Sequence, residues 1–122
     1  MTGSALPIPP QASLDEVGRL LHEDDPAAQL ALALAGVEDC LASAGLGPRD
    51  LVRLRVTTVD HDRIGPVLDV LAERFAQTGA RPQLTVHEVE RLQPPGLLVQ
   101  LDGTARPRTA PEIPGPTRER TA

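Results

Sequence analysis

The passage LVRLRVTTV at positions 51–59 constrains the fold most, because apolar and polar side chains alternate along it. Successive side chains of a β-strand point to opposite faces, so this alternation predicts a strand with one buried and one exposed face. The residues expected on the buried face are Val52, Leu54, Val56 and Thr58, and those expected on the exposed face are Arg53, Arg55 and Thr57.

Helical periodicity precedes this strand. Asp25 is a candidate N-cap, Pro26 suits the first helical position, and Gly45 is placed to end the helix. The apolar positions at helical spacing are Leu30, Leu34, Val37, Leu41 and Ala44. This pattern predicts a helix with one buried face.

A second helix and two further strands are predicted after the first strand. Residues 62–79 have a helical apolar stripe, and Gly65-Pro66 falls in the first turn, where proline is tolerated. The stripe consists of Ile64, Val67, Leu68, Leu71 and Phe75. Residues 83–90 and 97–102 are typical of strands and are joined by the turn-forming sequence QPPG. The order of elements indicates an α+β fold, a mixed sheet with two helices packed on one face.

The compact domain is expected to span residues 14–105. Residues 1–13 and 106–122 are rich in proline and lack apolar periodicity, so both segments are predicted to be disordered. Two interpretations of residues 14–24 stay open, because their leucines and valine fit either a helix or a short edge strand.

Composition excludes several classes of function. A net charge of −5 and a single aromatic residue, Phe75, argue against nucleic acid as a partner. The single cysteine, Cys40, rules out an intramolecular disulfide and a cysteine-rich metal site. His22 and His61 have acidic neighbours that a solvated loop and a helix cap explain, so no metal and no cofactor are predicted. The sequence has no apolar segment long enough to cross a membrane and no leader-like start. The protein is therefore predicted to be cytoplasmic and not to associate with a membrane.

An ordered set of passages resembles the Rid family, the reactive intermediate deaminases of the YjgF group. The set comprises Gln29 early in the first helix, AGLGPRDLVRLRVTTVD, RP before the penultimate strand, and GLLVQLDGTA at the end. The resemblance implies a chorismate-mutase-like fold and a homotrimer with small-molecule clefts between subunits. In active members, an arginine clamps the carboxylate of an imine or enamine, and a glutamate positions or activates water.

When the family's site positions are matched to this sequence one residue at a time, the resemblance implies an altered site. The arginine position falls on Leu84, the glutamate position on Gln100, and a cleft-lining asparagine on Leu68. Arg81 lies three residues before Leu84, and the family's N-terminal hairpin is not recognisable in residues 1–24. Leucine cannot bind a carboxylate, and glutamine can orient water but cannot act as a base near neutral pH.

We therefore predict an apolar cleft lined by Leu84, Val86 and Leu68, with Gln100 as the hydrogen-bonding anchor. Gln100, Arg81 and His87 are the candidate catalytic residues, although His87 and Glu88 should point to opposite faces and form no dyad. Whether the chain is catalytic at all stays open.

The leading hypothesis is a divergent Rid-like protein in a biosynthetic or amino-acid pathway. It would bind or convert a reactive intermediate, by cyclisation or tautomerisation, without the usual 2-imino acid deaminase activity. The first alternative is a non-catalytic binding or regulatory subunit that assembles with another Rid-like chain at a sheet edge left open by the altered N-terminus. The second alternative is a weak residual imine deaminase.

Overall fold

A computed structural model describes residues 4–107 as a four-stranded sheet with helices on one face. The strands are β1 (Leu6–Ala12), β2 (Leu51–Thr58), β3 (Gln83–Glu88) and β4 (Val99–Ala105), and the helices are α1 (Pro26–Ser43), α2 (His61–Ile64) and α3 (Asp69–Thr78). Single 3₁₀ turns occupy Pro48–Asp50 and Gly65–Val67. The predicted 106–122 tail lies almost wholly outside the described residues.

The sheet is mixed and has the strand order β1-β4-β2-β3. β2 pairs in parallel with β3 and antiparallel with β4, and β4 pairs antiparallel with β1. The helix α1 packs against β1 and β4, and α3 packs against α1. The predicted α+β class is therefore confirmed, although β3 and β4, which follow each other in the chain, are separated in the sheet by β2.

The prediction that residues 1–13 are disordered is wrong for the segment Leu6–Ala12, which forms β1. Ile8 of this strand is buried in the core, and Leu6 packs against it. The prolines are tolerated because β1 is an edge strand, and its register shifts between Ile8 and Gln11. Prolines and the register shift hide the alternation that would mark a strand in the sequence. The compact domain thus begins before residue 14.

Residues 14–24 form neither a helix nor an extended strand. Leu14 and Leu20 make an isolated antiparallel bridge, which is closer to the strand interpretation. The Asp15 carboxylate holds the turn between them by accepting hydrogen bonds from the backbone N–H groups of Val17 (2.9 Å) and Arg19 (2.8 Å). A polar residue that bonds to its own backbone favours such turns over helix.

The predicted ends of α1 are confirmed. Oδ1 of Asp25 accepts a hydrogen bond from the Ala28 N–H at 3.0 Å, and Pro26 occupies the first helical position. At the other end, Gly45 has a φ of 76°, in the left-handed region that glycine adopts without strain.

Replacing Asp25 with alanine is expected to lower the free energy of unfolding by about 1 kcal/mol, because the Ala28 N–H loses its acceptor. Urea denaturation would measure the loss. Asp39→Ala, an exposed change in the C-terminal half of the same helix, is the matched control and should have little effect. Equal losses in the two variants would contradict a capping role for Asp25.

The predicted second helix is interrupted. α2 ends at Ile64, and a 3₁₀ turn around Pro66 separates it from α3. Proline has no N–H to donate to the preceding turn, so the expectation that Pro66 is tolerated within one continuous helix is wrong. Asp60 caps α2 by accepting from the N–H groups of Asp62 and Arg63, which confirms the capping interpretation of this region.

Two residues of β2 depart from the expected alternation, because Val52 is exposed and Thr57, predicted to be exposed, is only 6% exposed. Val52, predicted to be buried, is 40% exposed, whereas Leu51 is buried. The pairing with β4 shifts register between Leu51 and Arg53, so Val52 is an extra residue in a β-bulge. Beyond the bulge the prediction is confirmed for Leu54, Val56 and Thr58, which are buried.

Candidate functional site

The register of the sheet sorts the side chains of β2, β3 and β4 onto two faces. Leu54 and Val56 of β2 are buried in the same core cluster as the apolar residues of α1, so this face is the helix-facing side. The opposite side, which we call the open face, carries three rows of side chains. From one end to the other, the rows are Thr104–Arg53–Gln83, Asp102–Arg55–Thr85 and Gln100–Thr57–His87. Every residue in these rows is polar.

The first two rows enclose a cavity of about 310 Å³, which we call the arginine cavity. Its lining includes Arg53, Arg55, Gln83, Thr85, Asp102 and Thr104. Nε and Nη2 of Arg55 donate to the same oxygen, Oδ2 of Asp102, at 3.2 and 3.1 Å. The guanidinium of Arg53 has no ion pair or hydrogen bond with any residue in the 4–107 range. The cavity therefore carries a net positive charge.

The third row brings together two of the predicted catalytic residues. Gln100 and His87 flank Thr57 on the neighbouring strands, which places their backbones about 10 Å apart. Thr57 is only 6% exposed, and its hydroxyl has no hydrogen-bond partner within the described part of the chain. The row offers the amide of Gln100 and the imidazole of His87 to a ligand on the open face, with the buried hydroxyl of Thr57 between them.

The predicted apolar cleft is not assembled within one chain. Leu84 and Val86 lie on the helix-facing side, whereas Gln100 lies on the open face. Val86 and Leu68 pack against the core, and Leu84 is 40% exposed at the sheet edge. Because β3 and β4 both pair with β2, their register with β2 decides the face of each side chain, and periodicity within one strand cannot reveal it.

Glu88 is the one charged side chain on the helix-facing side of β3, which otherwise presents Leu84 and Val86. Its Oε1 accepts a hydrogen bond from the His61 N–H at 2.9 Å, at the start of α2. His87 points to the open face, opposite to Glu88, as the alternation along β3 predicts.

Arg81 belongs to neither group. It lies before β3 and, with Arg49, lines a shallow depression beside Gly79. The structure therefore brings Gln100 and His87 to one row and leaves Arg81 outside it.

Arg53, Arg55 and Asp102 were not predicted as a group. The two arginines were visible as the polar face of an alternating strand, and that alternation was the available signal. Their pairing with Asp102, on a strand 47 residues further along, depends on tertiary register.

Other charged groups lie away from the open face. Glu38 raises the pKa of Arg74 above its usual value, mainly through a side-chain hydrogen bond between α1 and α3. Within residues 4–107, no group of three or more His, Cys, Asp or Glu side chains could hold a metal ion. In the same range, every helix is too short or too polar to cross a membrane.

Comparison with known proteins identifies the family. A family model described as Endoribonuclease L-PSP matches residues 3–106. The chain belongs to this family, the YjgF or Rid family. The predicted resemblance is confirmed.

Solved structures of Rid-family proteins share the fold. Rv2704 of Mycobacterium tuberculosis is 32% identical, with 85% of this chain and 80% of that chain covered and a TM-score of 0.70. YyfB of Yersinia pestis is 30% identical, with 87% and 80% covered and a TM-score of 0.73. TdcF of E. coli, whose structure contains bound serine, is 22% identical, with 87% and 83% covered and a TM-score of 0.76. No protein of curated function matches the chain significantly.

Proposed function

We propose that this Rid-family chain binds a small reactive intermediate in a cleft between subunits and lacks the usual 2-imino acid deaminase activity. The helix-facing side of β3 carries the proposal, because Leu84 lies there at the family position for a carboxylate-clamping arginine, with Val86 beside it on the same face. A substrate carboxylate at this position has no guanidinium on this strand to pair with. An unpaired carboxylate in such a place is costly to bury.

The open-face row of Gln100, Thr57 and His87 supports binding or conversion by hydrogen bonding. The neutral amide of Gln100 orients a ligand or a water molecule but takes up no proton near neutral pH. Positioning and exclusion of water therefore supply most of any rate enhancement, which suits a cyclisation or tautomerisation of an imine or enamine.

The proposed cleft needs more than one chain, because Leu84 and Gln100 lie on opposite faces of the sheet. Leu84 and Val52 are each 40% exposed, at the same end of β2 and the edge strand β3. Exposed apolar side chains at an unpaired sheet edge favour burial against another chain. We propose a homotrimer in which Leu84 of one subunit and Gln100 of its neighbour share a cleft.

Light scattering measures the mass of the assembly in solution and is expected to give that of a trimer. A clean monomer would contradict the shared cleft.

The alternative of a partner chain that completes the N-terminal region loses its main argument. That alternative assumed a sheet edge left open by the altered N-terminus, but the N-terminal segment forms β1, which pairs along β4 from Leu6 to Ala12. The homotypic assembly is therefore preferred.

The chain is expected not to accelerate pyruvate release from 2-aminoacrylate generated in situ. The physical reason is the missing cation at Leu84 together with the missing carboxylate at Gln100. Pyruvate production, followed against a reaction without protein, measures the effect. A rate above that background would contradict the proposal and favour a residual deaminase.

A matched double variant tests whether these positions are responsible. Leu84→Arg with Gln100→Glu restores both groups and should give a measurable rate. Gln83→Arg with Thr104→Glu is the control, because it adds one guanidinium and one carboxylate on the open face of the same two strands. Equal rates from both double variants would show that the added charges act without reference to position.

A further inference from the structure

We propose that the arginine cavity is a binding site for a compact oxyanion, a carboxylate or a phosphate group, separate from the intersubunit cleft. None of Leu84, Val86, Leu68 and Gln100 lines this cavity, so the inference does not depend on the proposed function.

The first observation is the concentration of positive charge. The chain as a whole carries a net charge of −5, yet the centre of the open face holds two arginines and one aspartate. Arg53 and Arg55 are two residues apart on the same face of β2, so their backbones are about 6.6 Å apart. A cleft of one sign of charge attracts ligands of the opposite sign.

The second observation is that the guanidinium of Arg55 is hydrogen-bonded to Asp102, whereas that of Arg53 has no partner in the described residues. Asp102 is 17% exposed in its side chain and engages Nε and Nη2 of Arg55 through a single oxygen. This contact orients Arg55 and leaves Nη1 without a partner in the described residues. Arg53 keeps its whole fork of donors, and a fork of parallel N–H groups matches carboxylate or phosphate oxygens.

The third observation is the chemistry of the remaining lining. Gln83 and Thr104 lie beside Arg53 in its row, and Thr85 lies beside Arg55. An amide and two hydroxyls can each donate a hydrogen bond to an oxyanion. The side chains of both rows are polar throughout, so the cavity suits a small hydrated anion and does not suit an apolar ligand.

In the inferred complex, Arg53 binds two oxygens of the anion through its fork and Nη1 of Arg55 contacts the same group. Gln83, Thr85 and Thr104 supply further donors. The carboxylate of Asp102 stays paired with Arg55, so the cavity's net charge is one positive charge. An anion with a single negative charge would neutralise the cavity.

Titration of the ¹⁵N-labelled full chain with acetate, and separately with inorganic phosphate, tests the inference by NMR. Sodium chloride is adjusted to hold the ionic strength constant, because exposed charges are screened by salt. Saturable shifts are expected at the backbone amides of Gln83, Thr85 and Thr104 and at the Nε–H of Arg53. The two titrations show whether the oxyanion is a carboxylate or a phosphate.

Arg53→Gln is expected to weaken binding at least tenfold, whereas Arg19→Gln, an exposed arginine outside the cavity, should leave it unchanged. Arg53→Lys keeps the charge and loses the fork, so an intermediate loss supports contact through both N–H groups. Unaltered binding in Arg53→Gln, or shifts that never saturate with either anion, would overturn the inference. Amide dispersion equal to that of the parent chain shows that each variant is folded.

Discussion

Replacing Gly103 with alanine is expected to destabilise the protein by about 3 kcal/mol or more. A Cβ atom at this position would overlap the carbonyl oxygen of Arg53, a backbone atom that cannot move independently of its strand. It would also lie 3.4 Å from Cδ1 of Leu51. Gly103 faces Leu54 on one side and Ile8 on the other, so β4 cannot shift without disturbing both of its neighbours.

The close approach lies next to the bulge at Val52, where the pairing of β2 with β4 shifts register between Leu51 and Arg53. Bulges bend a strand locally, so backbone atoms beside them can lie closer to the neighbouring strand than in a regular ladder. Thermal unfolding would measure the effect, and for a domain of about 100 residues this loss lowers Tm by more than about 12 °C.

Gly47→Ala is the matched control for Gly103→Ala. Gly47 lies in extended backbone with a φ of −126° and a ψ of 176°, and a Cβ atom there meets no atom within 4 Å. Extended backbone is the conformation that a residue with a side chain prefers before a proline, here Pro48, so the control should be neutral or slightly stabilising. A drop in Tm of a few degrees or less for Gly103→Ala would contradict the steric argument.

Replacing Gln29 with leucine is expected to lower the free energy of unfolding by about 3 kcal/mol. Gln29 is fully buried, and Oε1 accepts a hydrogen bond from the Leu98 N–H at 2.8 Å. Its Nε2 donates to the carbonyl oxygens of His22 (3.1 Å) and Gly96 (3.2 Å). One side chain thus joins the segment before α1 to the connection before β4. Leucine fills a similar volume but leaves two backbone groups, the Leu98 N–H and the Gly96 carbonyl, without partners, whereas the His22 carbonyl keeps its hydrogen bond from the Asp25 N–H at 3.1 Å.

Two further variants separate lost hydrogen bonds from altered packing. Gln29→Glu keeps the shape, yet its second carboxylate oxygen faces the carbonyl oxygens of His22 and Gly96, so a loss of similar size is expected. Gln77→Leu, an exposed change on α3, should alter stability by less than about 0.5 kcal/mol. Urea denaturation measures all three. A loss below about 1 kcal/mol for Gln29→Leu would mean that water satisfies the orphaned groups.

The sequence predicted the parts of the fold that depend on neighbouring residues. Asp25, Pro26 and Gly45 act within one turn of helix, so their roles in α1 followed from local chemistry. The same locality explains the error at β1, where prolines obscured a strand that exists because β4 pairs with it. Gly65 and Pro66 interrupt the second helix, because glycine weakens helical backbone and proline lacks the N–H that would continue the hydrogen bonding. The burial of the apolar stripe does not offset these two effects.

The candidate site was less predictable than the fold. Leu84 and Gln100 were predicted as site residues from the resemblance to the Rid family. The resemblance identified their positions in the sequence but not the face of the sheet on which each side chain lies. Only the register of β3 and β4 with β2 shows that these two residues lie on opposite sides of the sheet. The same register unites Arg53, Arg55 and Asp102.

The sequence by itself determined the α+β class, the caps of α1, the two-faced character of β2 and the absence of an arginine at position 84. Tertiary structure decided the strand order, the bulge at Val52, the inclusion of β1 and the composition of the open face. Local conformational preferences act over a few residues and are encoded where they act. Register is chosen by all the strands together, because a shift of one residue would turn every buried side chain toward solvent.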